Sequence, residues 1–524
     1  MLRITGFRAE LDDNDEQILE KVKKLLQTDD ITEIKIIRRA VDARRSGDVH
    51  YVLSIDVRAG NEAAILKKEI RGVSRAEENI YKFPDYPPLE RRPLVVGSGP
   101  AGLFCALFLA RGGHRPIMIE RGADVDTRTA AVEKFWQGGE LNPRTNVQFG
   151  EGGAGTFSDG KLTTGIKDKR INEVLREFVR YGAQEDILVN SKPHIGTDRL
   201  RGIVKNIRTD IIKLGGEVQF NTKLCDIEVD SGQVAGAVLE TEYGIKRLAV
   251  RDIILAIGHS ARDTVEMLSN RGVSMLRKPF SVGVRIEHSQ EFISRAMYGG
   301  SAGKLPPADY KLAVHLPNGR SLYTFCMCPG GYVVAAASEQ GGIVTNGMSY
   351  SARSGKNANS ALLVGVYPED FGGKDRLAGI SFQREIERKA FRLTGDWRAP
   401  AQTVGDFLEG KKSVGFGKVH PTYKPGVVPE SLDNVLPDFV CDALRSGILM
   451  MDKRIHGFAA KDAVMTAPET RSSSPVRFVR DENMQLSVRG LYSAGEGGGH
   501  AGGITSSAVD GIKAAEAVVQ AIRY

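Results

Sequence analysis

Leu94-Val-Val-Gly-Ser-Gly-Pro-Ala-Gly102 decides how the rest of the chain is read. Three apolar residues make a short buried strand. Gly97, Gly99 and Gly102 follow at G-x-G-x-x-G spacing and lead into the apolar, helix-forming Leu103-Phe-Cys-Ala-Leu-Phe-Leu-Ala110. Such a turn sets a phosphate on a helix start: the first glycine permits the tight turn, the second lets a pyrophosphate approach the backbone, and the third lets helix and strand pack closely. Alone, the pattern is weak. Here Gly112-Gly113 stops the helix, Pro116-Ile-Met-Ile119 reads as a second strand, and Glu120 ends it about 20 residues on, where a carboxylate can accept ribose hydroxyls. A glutamate there disfavours a ribose phosphate. The constellation predicts a Rossmann-like unit that holds an adenine dinucleotide.

The 524 residues suffice for several domains with large cores. An apolar content of 41% and a charged content of 26% are those of an ordinary soluble globular chain. The net charge of +7 is spread along the chain apart from Arg38-Arg39, Arg44-Arg45 and Arg91-Arg92, and reads first as a solvated basic surface, second as attraction for an anionic substrate or partner. No run approaches the ~18 apolar residues of a membrane helix, and Met1-Leu-Arg-Ile-Thr-Gly-Phe-Arg8 lacks signal-peptide architecture, so a cytoplasmic protein with no membrane partner is expected. Five cysteines, an odd and sparse set, suit a reducing compartment.

Outward from the turn, residues 1–80 read as a small separate domain. Leu2 to Phe7 is a strand, Asp15 to Leu26 has helical periodicity, Ile34 to Arg38 and Tyr51 to Val57 alternate as strands, and a helix spans about Glu62 to Ile70. That order predicts a ferredoxin-like α+β unit. Its basic strands lack the RNP aromatic signature, so docking or packing is expected of it and nucleic acid is not an expected partner. Residues 81–93, including Phe83-Pro-Asp-Tyr-Pro-Pro88, form a stiff Pro-rich linker. The cofactor domain follows over 94–274, a mixed α+β substrate or cap domain is inserted at 275–484, and the cofactor domain is completed by 485–524.

Inside the first part, Gly150, Gly152 and Gly155 repeat the glycine spacing, but Asn146-Val-Gln-Phe149 is a poor buried strand and Thr156-Phe-Ser-Asp-Gly-Lys161 is no helix face. These glycines are read as backbone that lies against a flat ligand and offers it amide donors. Helices are predicted over Ile171 to Phe178 and Asp198 to Leu214. Val218 to Val229, Gln233 to Glu240 and Ile245 to Val250 then alternate as a three-stranded meander, and Asp252-Ile-Ile-Leu-Ala-Ile-Gly258 is a buried strand breaking at a ligand crevice. Gly490 to Gly503 repeats the approach of a strand to glycines, before a final helix from about Ser507 to Ile522.

Together, Gly97 to Gly102 with Glu120-Arg121, the meander with Leu255-Ala-Ile-Gly258, and Tyr492-Ser-Ala-Gly-Glu496 with Gly502-Gly503 resemble the glutathione-reductase-like FAD superfamily. Phe135-Trp-Gln-Gly-Gly-Glu140, Phe149 to Gly165, Lys192 to Asp198, Phe325-Cys-Met-Cys-Pro-Gly-Gly331 and Thr470 to Arg477 look more closely like the bacterial uncharacterised FAD-dependent dehydrogenases. The resemblance implies non-covalent FAD, with its pyrophosphate on Gly97, Ser98, Gly99, Pro100, Ala101 and Gly102 and its ribose on Glu120 beside Arg121. It implies adenine near Leu224, and isoalloxazine near Gly152, Gly153, Ala154, Gly155 and Lys161 and near Gly503, Ile504 and Thr505. Ala256, Gly258, Gly495 and Glu496 complete the set.

Flavin supplies hydride and electron chemistry, so the side chains facing the ring carry the rest. Cys326 and Cys328 could relay electrons or simply line the pocket; on a regular strand they point one way near the upper limit of bridging distance, and a disulfide would be strained. His500 is a candidate proton donor or a structural hydrogen-bond donor. Arg471 and Arg285 could clamp a substrate anion or form ion pairs. His315 and His420 are too scattered for a metal, and none is expected. The reading is an FAD-dependent dehydrogenase or reductase acting on a small organic molecule, with NAD(P)H as a transient donor. The alternatives are a flavin monooxygenase, and a flavin-carrying RNA-modification factor docking through the basic N-terminal domain. The tryptophan-pair motif of halogenases is missing, since Trp136 and Trp397 stand far apart.

Overall fold

A computed structural model describes residues 1–45, 47–77 and 80–521. The N-terminal strand order is Ile31–Asp42, His50–Ala59, Leu2–Ala9, Val73–Arg75, antiparallel throughout, with helices Asp15–Leu26 and Glu62–Lys67 in the connections. The first helix starts at Asn14, whose side chain accepts the Gln17 N–H at 2.9 Å while Gln17 accepts the Asn14 N–H at 3.0 Å, a reciprocal cap. Its apolar stripe, Ile18, Val22 and Leu26, shares a core with Ile4, Leu53, Ile55 and Val57. The second helix ends at Lys67, short of the predicted Ile70. This unit is tied to the rest of the chain by backbone: Arg39 N–H donates to the Val189 carbonyl at 2.8 Å, and Ser191 N–H donates back to Arg39 at 2.9 Å. The Pro-rich segment lies on the body as well, where the Tyr81 hydroxyl donates to Glu516 at 2.6 Å.

Five short parallel strands form the sheet under the glycine turn, in the order Leu491–Ser493, Ile253–Leu255, Leu94–Val96, Ile117–Ile119, Glu217–Gln219. The centre strand, Leu94–Val96, is flanked by Ile253–Leu255 and by Ile117–Ile119, the next strand in the chain, and Leu491–Ser493 from the far end of the chain pairs with the outer side of Ile253–Leu255, so the carboxyl ends of distant segments open on one crevice. The single alternating stretch predicted over Val218 to Val229 is divided: Glu217–Gln219 joins the parallel sheet, and Lys223–Asp230 joins the meander with Gln233–Thr241 and Gly244–Leu248. Helix Pro100–Arg111 is buried at nearly every position and packs on helix Ile504–Gln520. The latter starts before the predicted Ser507, and the predicted end, Ile522, lies outside the described residues.

Residues 280–469 supply all strands of a seven-stranded sheet ordered Ala313–His315, Ser321–Cys328, Asn357–Val366, Phe280–Ser289, Val464–Glu469, Ala399–Thr403, Val427–Pro429. Its centre strands are buried on both faces, and alternation sorts their side chains. Val282, Val284 and Ile286 share the largest apolar cluster with Leu444, Ile448 and Met451 of helix Asp438–Asp452. Arg285 and Glu287 occupy the opposite face, against the hairpin Tyr332–Ala335 and Thr345–Met348, where a Cβ on Gly347 would overlap the Arg285 guanidinium. A two-stranded ribbon, Met275–Arg277 with Val476–Phe478, marks where the chain leaves for this sheet and returns. Among the described residues no helix is long and apolar enough to cross a membrane.

Candidate functional site

The turn after Leu94–Val96 is built as tightly as its glycines require. Gly97 lies at φ +102°, donates its N–H to the Ile119 carbonyl at 2.8 Å, and has the Ala256 carbonyl where a Cβ would stand. A Cβ on Gly102 would overlap the Gly97 carbonyl, so helix Pro100–Arg111 can rest on the strand only with hydrogen there. That helix has Gly99 as its N-cap and no side-chain cap; helix Ile504–Gln520 has Gly503 as its N-cap and again no side-chain cap. Gly511 packs on the Ala101 backbone and Gly495 on the Ala101 side chain, which brings the two helices together. Two positive helix ends without side-chain acceptors are suited to anionic groups.

The glycine loop closes over this turn. Gly152 N–H donates to the Ser98 carbonyl at 2.9 Å, and a Cβ on Gly153 would lie 2.9 Å from the Gly99 Cα. Arg128, fully buried, donates to the carbonyls of Asn146, Val147, Gly150 and Glu151 at 2.6–3.1 Å and so sets the loop's course. Sequence reasoning missed Arg128, because an arginine that serves only carbonyls leaves no pattern. Glu120 accepts from Ser98 N–H and Oγ at 2.9 Å each, and from Gly122 and Gly150 N–H at 3.0 Å each. Four donors fill the usual capacity of a carboxylate, so ribose hydroxyls reach it only in exchange for one of them. Arg121 is paired with Asp263 at 3.0 Å and lies 4.3 Å above the Phe149 ring. Leu224 is buried in one cluster with Val96 and Ile119, and Ala256 N–H donates to Val96 at 2.9 Å.

Further along, Ala154 opens the single helical turn Ala154–Phe157, and Gly155 faces Ile504. Thr505 Oγ1 donates to the Leu162 carbonyl at 2.8 Å, and Lys161 Nζ donates to the Met327 carbonyl, which links the second helix start to the cysteine strand. Gly495 N–H donates to Asp510 at 2.8 Å, Glu496 faces His259 at 3.7 Å, and Gly497 packs on Gly258. The glycine and helix-start residues named from the sequence therefore meet along one seam between the two helices.

The five candidates for chemistry are distributed differently. Arg471 is committed to Glu387 at 3.0 Å and to the Ser338 hydroxyl at 2.6 Å. Glu387 also receives two bonds from Arg262, at 2.8 and 2.9 Å, and one from the Thr470 hydroxyl at 2.6 Å. His500 lies with Nε2 3.0 Å from the Phe478 carbonyl, and burial with Arg480 nearby pushes it down to about 4, leaving it neutral. Arg285, fully buried, donates to the carbonyl of Cys326 at 3.1 Å and faces Glu469 at 3.3 Å and the Cys328 sulfur at 3.6 Å. The cysteine strand is tied to the seam by Lys161 at the Met327 carbonyl, between the two cysteines.

Known families match three separate stretches of the chain. A family described as "FAD-dependent protein, C-terminal domain-like" matches residues 279–472, an FAD binding domain matches 92–133, and a domain of unknown function matches 1–58. A protein of Clostridium beijerinckii, described as uncharacterized, is 48% identical over 537 aligned positions that cover 99% of this chain and 98% of its own length. Solved structures with similar folds include the flavin-dependent brominase Bmp2 in a triple-mutant form (12% identity, 83% of this chain and 81% of that one, TM-score 0.39). A geranylgeranyl bacteriochlorophyll reductase-like protein of Thermoplasma acidophilum (14%, 83% and 79%, TM-score 0.38) and the glycerol-3-phosphate dehydrogenase of Bacillus halodurans complexed with FAD (13%, 83% and 65%, TM-score 0.37) are also similar. The chain belongs to the family it shares with the Clostridium beijerinckii protein, a family of FAD-dependent proteins carrying an FAD binding domain.

Proposed function

We propose that this chain is an FAD-dependent oxidoreductase, a dehydrogenase or reductase, acting on a small organic substrate beneath the polar face of the seven-stranded sheet. The observation that carries the reading is the pair of helix starts at Gly99 and Gly503, both without a side-chain cap, that converge on the glycine loop 150–155. The residues fit the cofactor: the turn is lined by backbone and by the small or compact side chains of Pro100, Ala101 and Ala256, and the glycine loop meets it backbone to backbone at Gly99 and Gly153. Gly97 to Gly102 would hold the pyrophosphate by N–H groups and helix dipole, Glu120 the ribose, and Gly152 to Gly155, Lys161 and Gly503 to Thr505 the ring system. When bound, FAD supplies the two-electron chemistry. A ribose hydroxyl would reach Glu120 only in exchange for one of its four present donors, among them the Gly122 and Gly150 N–H groups.

The domains are read as 94–274 and 485–524 for the cofactor, in the manner of the glutathione-reductase-like superfamily, and 275–484 for the substrate, the seven-stranded sheet at 280–469 supporting the latter. The N-terminal unit is read as ferredoxin-like from its strand order, with a packing role supported by its backbone bonds at Val189 and Ser191. A cytoplasmic location suits five free cysteines. NADH or NADPH is read as a transient donor. Anaerobic titration of the flavin-loaded protein with NADH, NADPH and a set of organic donors tests the reading: bleaching of the oxidised flavin band by at least one is expected. A band that survives all of them contradicts a dehydrogenase or reductase.

A further inference from the structure

The strand Ser321–Cys328 is irregular where its cysteines stand. Its register against Asn357–Val366 shifts between Phe325 and Cys328, and Cys326 sits at φ +44°, in the left-handed region. Such a bulge breaks the alternation of a regular strand and re-aims side chains. The Cys328 sulfur lies 3.2 Å from the Cys326 carbonyl oxygen, and Arg285 donates to both, at 3.6 Å to the sulfur and 3.1 Å to the oxygen. A left-handed conformation in a residue other than glycine is held by its surroundings. Here the holding contacts are Arg285 on the Cys326 carbonyl, the Ser360 hydroxyl on the Phe325 carbonyl at 3.2 Å, and Lys161 on the Met327 carbonyl. Three side chains from three segments thus fix the carbonyls of residues 325–327.

The two sulfurs differ in access and in charge. Cys326 is partly exposed, next to the exposed Phe325, while Cys328 is fully buried. Around them stand Arg285 from Phe280–Ser289, the strand on the far side of Asn357–Val366, and Lys161 and Asp159 from the loop after Ala154–Phe157. Arg353 pairs with Asp159 at 2.6 Å, and Glu469 faces Arg285. The neighbouring Cys328, Arg285 and Lys161 draw the Cys326 thiol below its ordinary value, against burial and Asp159. Burial and the neighbouring sulfur push Cys328 well up. An accessible low-pKa thiol beside a buried high-pKa one is the division of labour of an attacking and a resolving sulfur.

We propose that Cys326 and Cys328 form a thiol–disulfide exchange couple for small-molecule disulfides, with Cys326 attacking and Cys328 resolving. The Cys326 thiolate displaces one thiolate from the substrate disulfide and forms a mixed disulfide. Cys328, losing its proton to solvent, attacks the Cys326 sulfur and expels the second thiolate. One S–S bond is made in the chain and one is broken in the substrate; the pair loses two electrons, and the substrate leaves as two thiols. This goes beyond the flavin reading and does not depend on it.

The test uses the full chain with Cys225→Ser, since Cys225 is the other partly exposed thiol while Cys105 and Cys441 are buried. The probe is dithionitrobenzoate, an aromatic disulfide, and the readout is intact and peptide mass. The expected product is a chain lighter by two hydrogens, located between Arg320 and Arg353, that retains no aryl group. Adding Cys328→Ser, or Cys328→Ala to exclude an effect of the serine hydroxyl, should trap one aryl mixed disulfide on Cys326. Adding Cys326→Ser should slow modification about tenfold or more, because only the buried sulfur is left. Trapping two aryl groups without Cys–Cys bond formation, equal rates for the Cys326→Ser and Cys328→Ser chains, or no reaction would each overturn the proposal. Mass is read without flavin reduction, so either outcome leaves the flavin reading to its own test.

Discussion

Replacing Gly102 by valine should leave a chain that folds but purifies with less than about a tenth of the flavin of the natural sequence, with FAD affinity weakened about a hundredfold, or about 2.7 kcal/mol. The cause is steric. Any Cβ at this position overlaps the Gly97 carbonyl and comes within 3.4 Å of the Ala256 side chain, so helix Pro100–Arg111 must move off the strand Leu94–Val96. Overpacking of this kind costs about 1–3 kcal/mol, which a domain of this size tolerates. The cofactor loses more, since the helix start and the Gly97–Gly99 amides no longer share one geometry. Flavin absorbance per chain, with circular dichroism to establish folding, checks it. A folded valine variant that keeps its flavin would remove the phosphate role from the turn.

Glu387→Ala should give the largest loss of stability, about 3–5 kcal/mol, seen as a fall of thermal midpoint on the order of 10 °C. Glu387 is nearly inaccessible and is the shared acceptor of Arg262, from the helix after the strand Ile253–Leu255, and of Arg471, from the segment after Val464–Glu469. Without it, two buried guanidinium groups lose their common partner, although Arg262 keeps Glu339 and Gln383 and Arg471 keeps Ser338. The cluster joins the parallel sheet's own helix to the seven-stranded sheet, so the loss should fall on the seam between them. Burial alone raises the Glu387 carboxyl, but Arg262 and Arg471 outweigh it and hold it far below the ordinary carboxylate range. A folded pKa depressed below an unfolded value of about 4.3 contributes stability above that pH and loses it as the pH falls. Thermal midpoints of the natural chain should therefore drop on acidification below about 4, more steeply than those of Glu387→Ala, whose midpoint has already lost this contribution. Equal slopes would mean that Glu387 is not the ionised centre of the cluster.

Legibility in the sequence followed distance along the chain. The glycine turn, its helix and Glu120 are local, and spacing sufficed to read them. The capped helix Asp15–Leu26 was equally plain, since Asn14 and Gln17 sit three residues apart before an apolar stripe. Val218 to Val229 misled because alternation continues across Phe220 to Thr222, although the segment changes sheets there. Arg471 could be an anion clamp or an ion-pair member from its neighbours alone; Glu387, which engages it, is a residue of a different helix. Alternation also made a Cys326–Cys328 bridge look strained, because nothing in Phe325 to Cys328 announces a bulge whose cause is the packing of Arg285, Ser360 and Lys161.

The seam between Gly99 and Gly503 is proposed to hold one FAD. Titrating FAD into the purified, flavin-stripped chain and following flavin fluorescence and bound heat should show saturation at one FAD per chain, with FMN and free adenine nucleotides binding far more weakly. A chain that is colourless as purified and takes up no FAD at any concentration would contradict it.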